Sequence, residues 1–116
     1  MSNAALPDKT IRDRQAPDEL LRPVVAWFQP RKVILFGSRA RNEAGPDSDY
    51  DLFVVVDDDA PAERLSWRGK YEARKTYHGA TDIVVCRATT YERKRRLTGT
   101  LSHTVDREGV VVYERR

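Results

Sequence analysis

The chain is poor in the residues that mark several protein classes. It has one cysteine, Cys86, among 116 residues, which excludes an internal disulfide and the stapled secreted scaffolds that depend on one. No apolar run approaches the roughly 18 to 20 residues needed to cross a membrane, and the first residues lack the apolar core of a signal peptide. A reducing, cytoplasmic setting with no membrane partner is therefore expected. The two histidines, His78 and His103, have no ligand-type spacing and read as structural. No Gly-Lys-Ser/Thr follows a glycine-rich turn, so a Walker A loop is excluded. Internal repeats and low-complexity tracts are also missing, and at 40% hydrophobic content the length suits one small domain with a modest core and leaves no segment for a second.

What is present is an uneven distribution of charge. The formal net charge is only +3, but residues 43–59 hold seven acids and no Lys or Arg, whereas Arg87 to Arg96 holds five cations against Glu92 alone. One end of the fold should attract cations, and another should attract phosphates or an acidic partner.

Residues 1–17 are polar with little periodicity and read as a flexible arm, and residues 18–116 as the folded domain. Asp18 is the expected N-cap of a helix through Leu20, Leu21, Val24, Val25 and Phe28, with Pro23 either kinking it or marking a later start, and Pro30 ending it. Short β-branched runs predict strands at 32–36, 50–56 and 81–85, and Val110 to Tyr113 a terminal one. A short helix is expected near Arg39 to Glu43. A longer one should start at Asp57-Asp58-Asp59 with Pro61 in its first turn, run to about Tyr77 and be capped by Gly79. The last helix, capped by Thr89 or Thr90, would bury Leu97, Leu101 and Val105 and close at Gly109. This alternation gives an α/β or α+β fold with one small mixed sheet flanked by helices.

The chemistry is concentrated where strands meet turns. Gly37-Ser38 follows the first strand as a tight turn that lets backbone N–H groups approach a phosphate. Ten residues later Asp49-Tyr50-Asp51 opens the second strand. Side chains alternate along a strand, so Asp49 and Asp51 point the same way, roughly 6 to 7 Å apart, and can share Mg2+. Two-metal chemistry needs a third acid, and Asp82 heads the third strand much as Asp51 heads the second.

The pattern Gly-Ser, ten residues, Asp-x-Asp and a later strand-borne Asp resembles the minimal nucleotidyltransferases of the DNA polymerase beta superfamily, over about Lys32 to Val85. Asn42 departs from it, standing where such sequences often carry Gly; Asn tolerates left-handed backbone, so the turn is still expected. The resemblance implies that Asp49 and Asp51 bridge two Mg2+ ions (or Mn2+), that Asp82 holds the ion that activates the acceptor, and that Gly37, Ser38 and Arg39 bind the nucleoside triphosphate. Chains of this size resemble the antitoxin half of two-component modules in which the nucleotidyltransferase moves AMP from ATP to a tyrosine of a helical HEPN toxin. Larger relatives hold their acceptor with an added helical domain that this chain has no segment to build.

Blander readings stand beside these. Asp-x-Asp alone is more often a solvated turn, and Ser38 can simply cap a helix. Arg39 and Arg41 are equally well placed as solvated surface. Trp67, Tyr71 and Lys75, at four-residue spacing, read as core packing or a partner-facing stripe before base stacking. The Arg93–Arg96 cluster reads first as the wet side of a helix, and only then as a contact for tRNA, nucleotide or a partner; nucleic acid is not the expected partner. The alternatives for function are a catalytically weak, partner-binding antitoxin subunit, and a small-molecule (aminoglycoside-type) enzyme whose acceptor pocket needs a homodimer.

Overall fold

The computed structural model describes residues 16–41, 43–45 and 48–115. The arm to residue 15, and Asn42, lie outside the described residues, but Ala16 is already fully buried in the core. The elements are α1 (Asp18–Phe28), β1 (Lys32–Phe36), β2 (Tyr50–Val56), a 3-10 turn (Ala62–Leu65), α2 (Trp67–Arg74), β3 (Thr81–Arg87), α3 (Ala88–Lys94), α4 (Leu101–Glu108) and β4 (Val110–Glu114). The four strands make one mixed sheet in the order β3-β2-β1-β4. β1 runs antiparallel to both β2 and β4, whereas β2 and β3 are parallel. This is the expected α+β architecture.

Alternation along the strands divides the core in two. Val33, Leu35, Leu52, Val54, Val56 and Ile83 pack with α1 and Ala73 of α2 on one face, and Ile34, Phe53 and Val55 pack with Ala88, Tyr91 and Val105 of α3 and α4 on the other. Helix α1 runs unbroken through Pro23, whose missing N–H and ring cost about 3 kcal/mol. Its buried Leu20, Leu21, Val24 and Phe28 each contribute about 1.5–3 kcal/mol on burial, which outweighs that loss. Its N-cap is Pro17 rather than Asp18, which instead pairs with Arg22 one turn on.

Several boundaries differ from expectation for physical reasons. Residues 38–41 form a turn in which the Ala40 and Arg41 N–H groups donate to the Gly37 carbonyl (3.1 and 3.2 Å), so the expected helix there is a hydrogen-bonded turn. Asp57 and Asp58 are drawn into contacts elsewhere, and α2 therefore starts only at Trp67, capped by Ser66, whose hydroxyl accepts from the Gly69 N–H (3.5 Å). It ends at Arg74, with Lys75 rather than Gly79 as its C-cap. The last helix is two helices, broken around Gly99 (φ +95°). Thr100 caps the second, accepting from His103 N–H (3.1 Å). Of the predicted stripe only Val105 is buried, while Leu97 and Leu101 are exposed. Thr89 is no cap: its N–H and hydroxyl both donate to the Asp58 carboxylate.

Candidate active site at the carboxylate end of the sheet

Antiparallel pairing puts the end of β1 beside the start of β2, and the parallel β2–β3 pair puts the start of β3 there too. In that register Asp51 is the direct partner of Asp82, and Phe36 is the partner of Asp51. Asp51 and Asp82 alternate in step with Phe53 and Val84, so both carboxylates belong to the face that carries α3 and α4. Asp49 lies two residues ahead of Asp51. The alignment is stitched at the strand starts: the Tyr50 N–H donates to the Ala80 carbonyl (3.1 Å) and the Thr81 hydroxyl donates to the Tyr50 carbonyl (2.8 Å).

Gly37 brings the turn onto this pair. Its φ of +77° is a left-handed conformation that side chains resist, and a Cβ there would overlap the Asp51 Oδ2. Glycine is needed for close approach of backbone to the carboxylate itself. Ser38 follows directly, half-buried in the turn. Among the described residues a turn, not a helix, directly follows Ser38, so this end offers turn amides rather than a helix N-terminus.

Arg39 takes up a place that its sequence did not disclose. Its Nε and Nη2 donate to the Ser48 carbonyl (3.1 and 2.9 Å), and its guanidinium lies 4.0 Å from the centre of the Tyr50 ring. It thus holds the residues on both sides of Asp49. Tyr50 in turn meets Tyr77 edge to face, with centroids 6.3 Å apart. Arg41 pairs with Glu43 (2.9 Å). Of the later basic cluster, Arg95 is engaged by Glu92 and Asp106, and its carbonyl meets the His103 Nδ1 (2.9 Å), in keeping with a structural histidine.

The acids load this end with negative charge. Partial burial, then the charges of Asp82 and Asp49, push the Asp51 carboxyl above its ordinary value, because both disfavour its ionised form. Among the described residues no three His, Cys, Asp or Glu side chains converge closely enough to cage a metal ion as they stand. The donor set is nonetheless all carboxylate oxygen, the kind that Mg2+ prefers, and a cation would relieve the repulsion that the fold builds in. An open groove of about 320 Å³ borders Asp82, lined also by Trp67, Lys70, Tyr71, Arg74, Thr81 and Ile83. The exposure of Trp67 and Tyr71 (76% and 52%) rules out the core-packing reading of that stripe.

What the sequence does not disclose is the set of contacts beside the acids: the Thr81 bond to the Tyr50 carbonyl, and the Arg39 clasp over Ser48 and Tyr50, nine and eleven residues away, which has no local signal.

Comparison with known proteins accords with this geometry. A solved structure of a Sulfolobus solfataricus protein described as a candidate nucleotidyltransferase is 20% identical, covering 92% of this chain and 82% of that one with a TM-score of 0.55. A toxin-antitoxin structure with AMP-PNP is 17% identical, covering 86% and 75% with a TM-score of 0.58. At such identities the likeness speaks for the fold. No curated protein sequence matches the chain. The profile of the nucleotidyltransferase domain matches residues 18–102, from the first residue of α1 into α4, and takes in the Gly37 turn and all three acids: the chain belongs to the nucleotidyltransferase domain family.

Proposed function

We propose that the protein is a divalent-metal-dependent nucleotidyltransferase that moves AMP from ATP to a hydroxyl, in the first instance a tyrosine of a helical partner protein. The observation that carries the reading is the Asp51–Asp82 cross-strand pair lying directly under the Gly37 turn. It sets metal-ligand chemistry and phosphate-approach chemistry against each other at one sheet end. The solved toxin-antitoxin relative with AMP-PNP supports both a nucleotide and a protein partner.

The acceptor oxygen forms a bond to the α-phosphorus, the bond from that phosphorus to the bridging oxygen breaks, and pyrophosphate leaves with the electron pair. Two Mg2+ ions, when bound, would supply charge neutralisation at the attacking and leaving oxygens. Asp49, Asp51 and Asp82 are the residues that would hold them, and Asp82, which borders the open groove, would take the acceptor's proton. Gly37 seats the turn against Asp51, and the Ser38 amide and hydroxyl would donate to the triphosphate oxygens. Arg39 serves by fixing the Ser48–Tyr50 segment that carries Asp49.

The test is incubation with labelled ATP, Mg2+ and the protein encoded by a gene neighbouring this one, read by mass spectrometry. One AMP added to a partner tyrosine, dependent on Asp49 and Asp51, is expected. An unmodified partner alongside an adenylylated small hydroxylated compound would replace this reading with the small-molecule one.

A further inference from the structure

The transfer chemistry leaves one surface unused. Helix α2 displays Trp67 and Tyr71, the most exposed of the large apolar side chains in the described residues, one turn apart on the helix. From Arg64 to Lys75 the sequence carries five cations against Glu72 alone. Glu72 is occupied by Lys75 (2.6 Å), so Arg68, Lys70 and Arg74 form no ion pair among the described residues. The helix is seated rigidly: Gly69 lies so close to the Arg64 carbonyl that a Cβ would overlap it, and Trp27 donates to the same carbonyl (3.3 Å). Lys70, Tyr71 and Arg74 then line the groove that leads to Asp82, alongside β3, the end strand of the sheet.

We infer that this face of α2 is the docking surface for the acceptor, and that its occupant is an acidic polypeptide segment carrying the hydroxyl to be modified. The inference rests on the transfer reading above. Trp, Tyr and Arg are the side chains that carry most of the binding energy at protein interfaces. The cations demand acidic residues opposite, and the groove that they line reaches the edge strand β3 at Asp82. RNA would also suit an aromatic, basic helix. A polypeptide is favoured because the proposed acceptor is a tyrosine hydroxyl, a single side chain that can extend toward Asp82 while its own segment stays on the cations of α2; RNA is the alternative outcome of the test.

The test uses the full chain with Mg2+ and a non-hydrolysable ATP analogue. Fluorescence anisotropy compares three labelled probes: a short peptide with one tyrosine flanked by glutamates, its lysine-flanked counterpart, and a single-stranded RNA oligonucleotide. The glutamate peptide should bind at least about tenfold more tightly than the lysine peptide, and more weakly as salt rises. Trp67→Ala, and separately Lys70→Glu with Arg74→Glu, should each weaken it about tenfold. Neither change should alter the melting-temperature rise given by Mg2+ and ATP, which also shows that both variants fold. Tighter binding of the RNA through the same residues, no preference for the acidic peptide, or binding indifferent to the α2 variants would overturn the inference. Peptide binding through α2 without any AMP transfer to the tyrosine when ATP is supplied would leave the docking surface standing and remove the transfer reading. AMP transfer unaffected by the α2 variants would do the reverse.

Discussion

The two ends of the sheet treat their carboxylates in opposite ways. At one end Asp51 faces Asp82, with Asp49 two residues ahead, and burial and the neighbouring acids push the Asp51 carboxyl up. At the other end Asp57, just beyond β2, accepts from Arg31 (2.6 Å) and Arg115 (2.9 and 3.1 Å), and Asp58 accepts from Thr89. Hydrogen bonds to those partners push both of these carboxyls down. The same residue type is thus held by hydrogen-bonding partners just past Val56 and crowded by like charge around Tyr50. Among the described residues Asp57 has two arginine partners, whereas Asp51 is shifted by burial and by other acids, which supports the proposal that the Asp51 end takes its cation from outside.

Breaking the comparison at its reactive end should give the largest effect. Asp49→Asn with Asp51→Asn is expected to reduce AMP transfer to background in the labelled-ATP assay, whereas Asp57→Asn should leave the rate within about twofold at a temperature where both stay folded, because an exposed ion pair contributes little. Persistent transfer in the double variant would remove the catalytic assignment. Next comes Gly37→Val, which must adopt a strained φ and displace the Asp51 carboxylate. It should lower the melting temperature by roughly 5–15 °C, and calorimetry should find no ATP binding. Ser38→Ala removes one hydrogen bond to a charged group and should weaken ATP binding roughly tenfold; unchanged affinity would confine Ser38 to shaping the turn. The smallest effect is expected at Arg39→Ala. Loss of the Ser48 and Tyr50 contacts should lower kcat severalfold with little change in the KM for ATP, and a rise in KM alone would indicate a direct phosphate contact.

Much of this arrangement was legible in the sequence because it is local. The strand boundaries of β1 and β2 follow from continuous apolar runs, and the Gly37 turn and the three acids follow from what stands immediately before and after those runs. Pairing of Asp51 with Asp82 required only that both head parallel strands. The helices were read less well, since tertiary contacts overrode local signals. Asp57 and Asp58 have the composition of a helix start, but Arg31, Arg115 and Thr89 claim them from 26, 58 and 31 residues away. Leu97 and Leu101 have helical spacing, but Gly99 between them breaks the helix and leaves both exposed. Arg39 looked like a phosphate ligand or a solvated residue because nothing local announces the Ser48 carbonyl that it grips.

In the proposed function the Asp51 end is crowded by like charge until a metal and nucleotide bind. Asp51, with its pKa raised in the fold, gives stability that is present at low pH and lost as pH rises through that raised value. Asp57, with its pKa lowered, gives stability that is present above its ordinary 3.8 and lost only as pH falls through the lowered value. The direct measurement is the melting temperature of Asp51→Asn and Asp57→Asn against the parent chain, without metal, from neutral pH into acid, and again at neutral pH with Mg2+ and ATP. Without metal at neutral pH, Asp51→Asn should melt higher than the parent and Asp57→Asn lower. On acidification the Asp51 difference should fade first, above 3.8, and the Asp57 difference below it. Mg2+ with ATP should then raise the parent and the Asp57 variant but not the Asp51 variant. An Asp51→Asn chain that melts lower than the parent without metal, and is still stabilised by Mg2+ and ATP, would contradict the account.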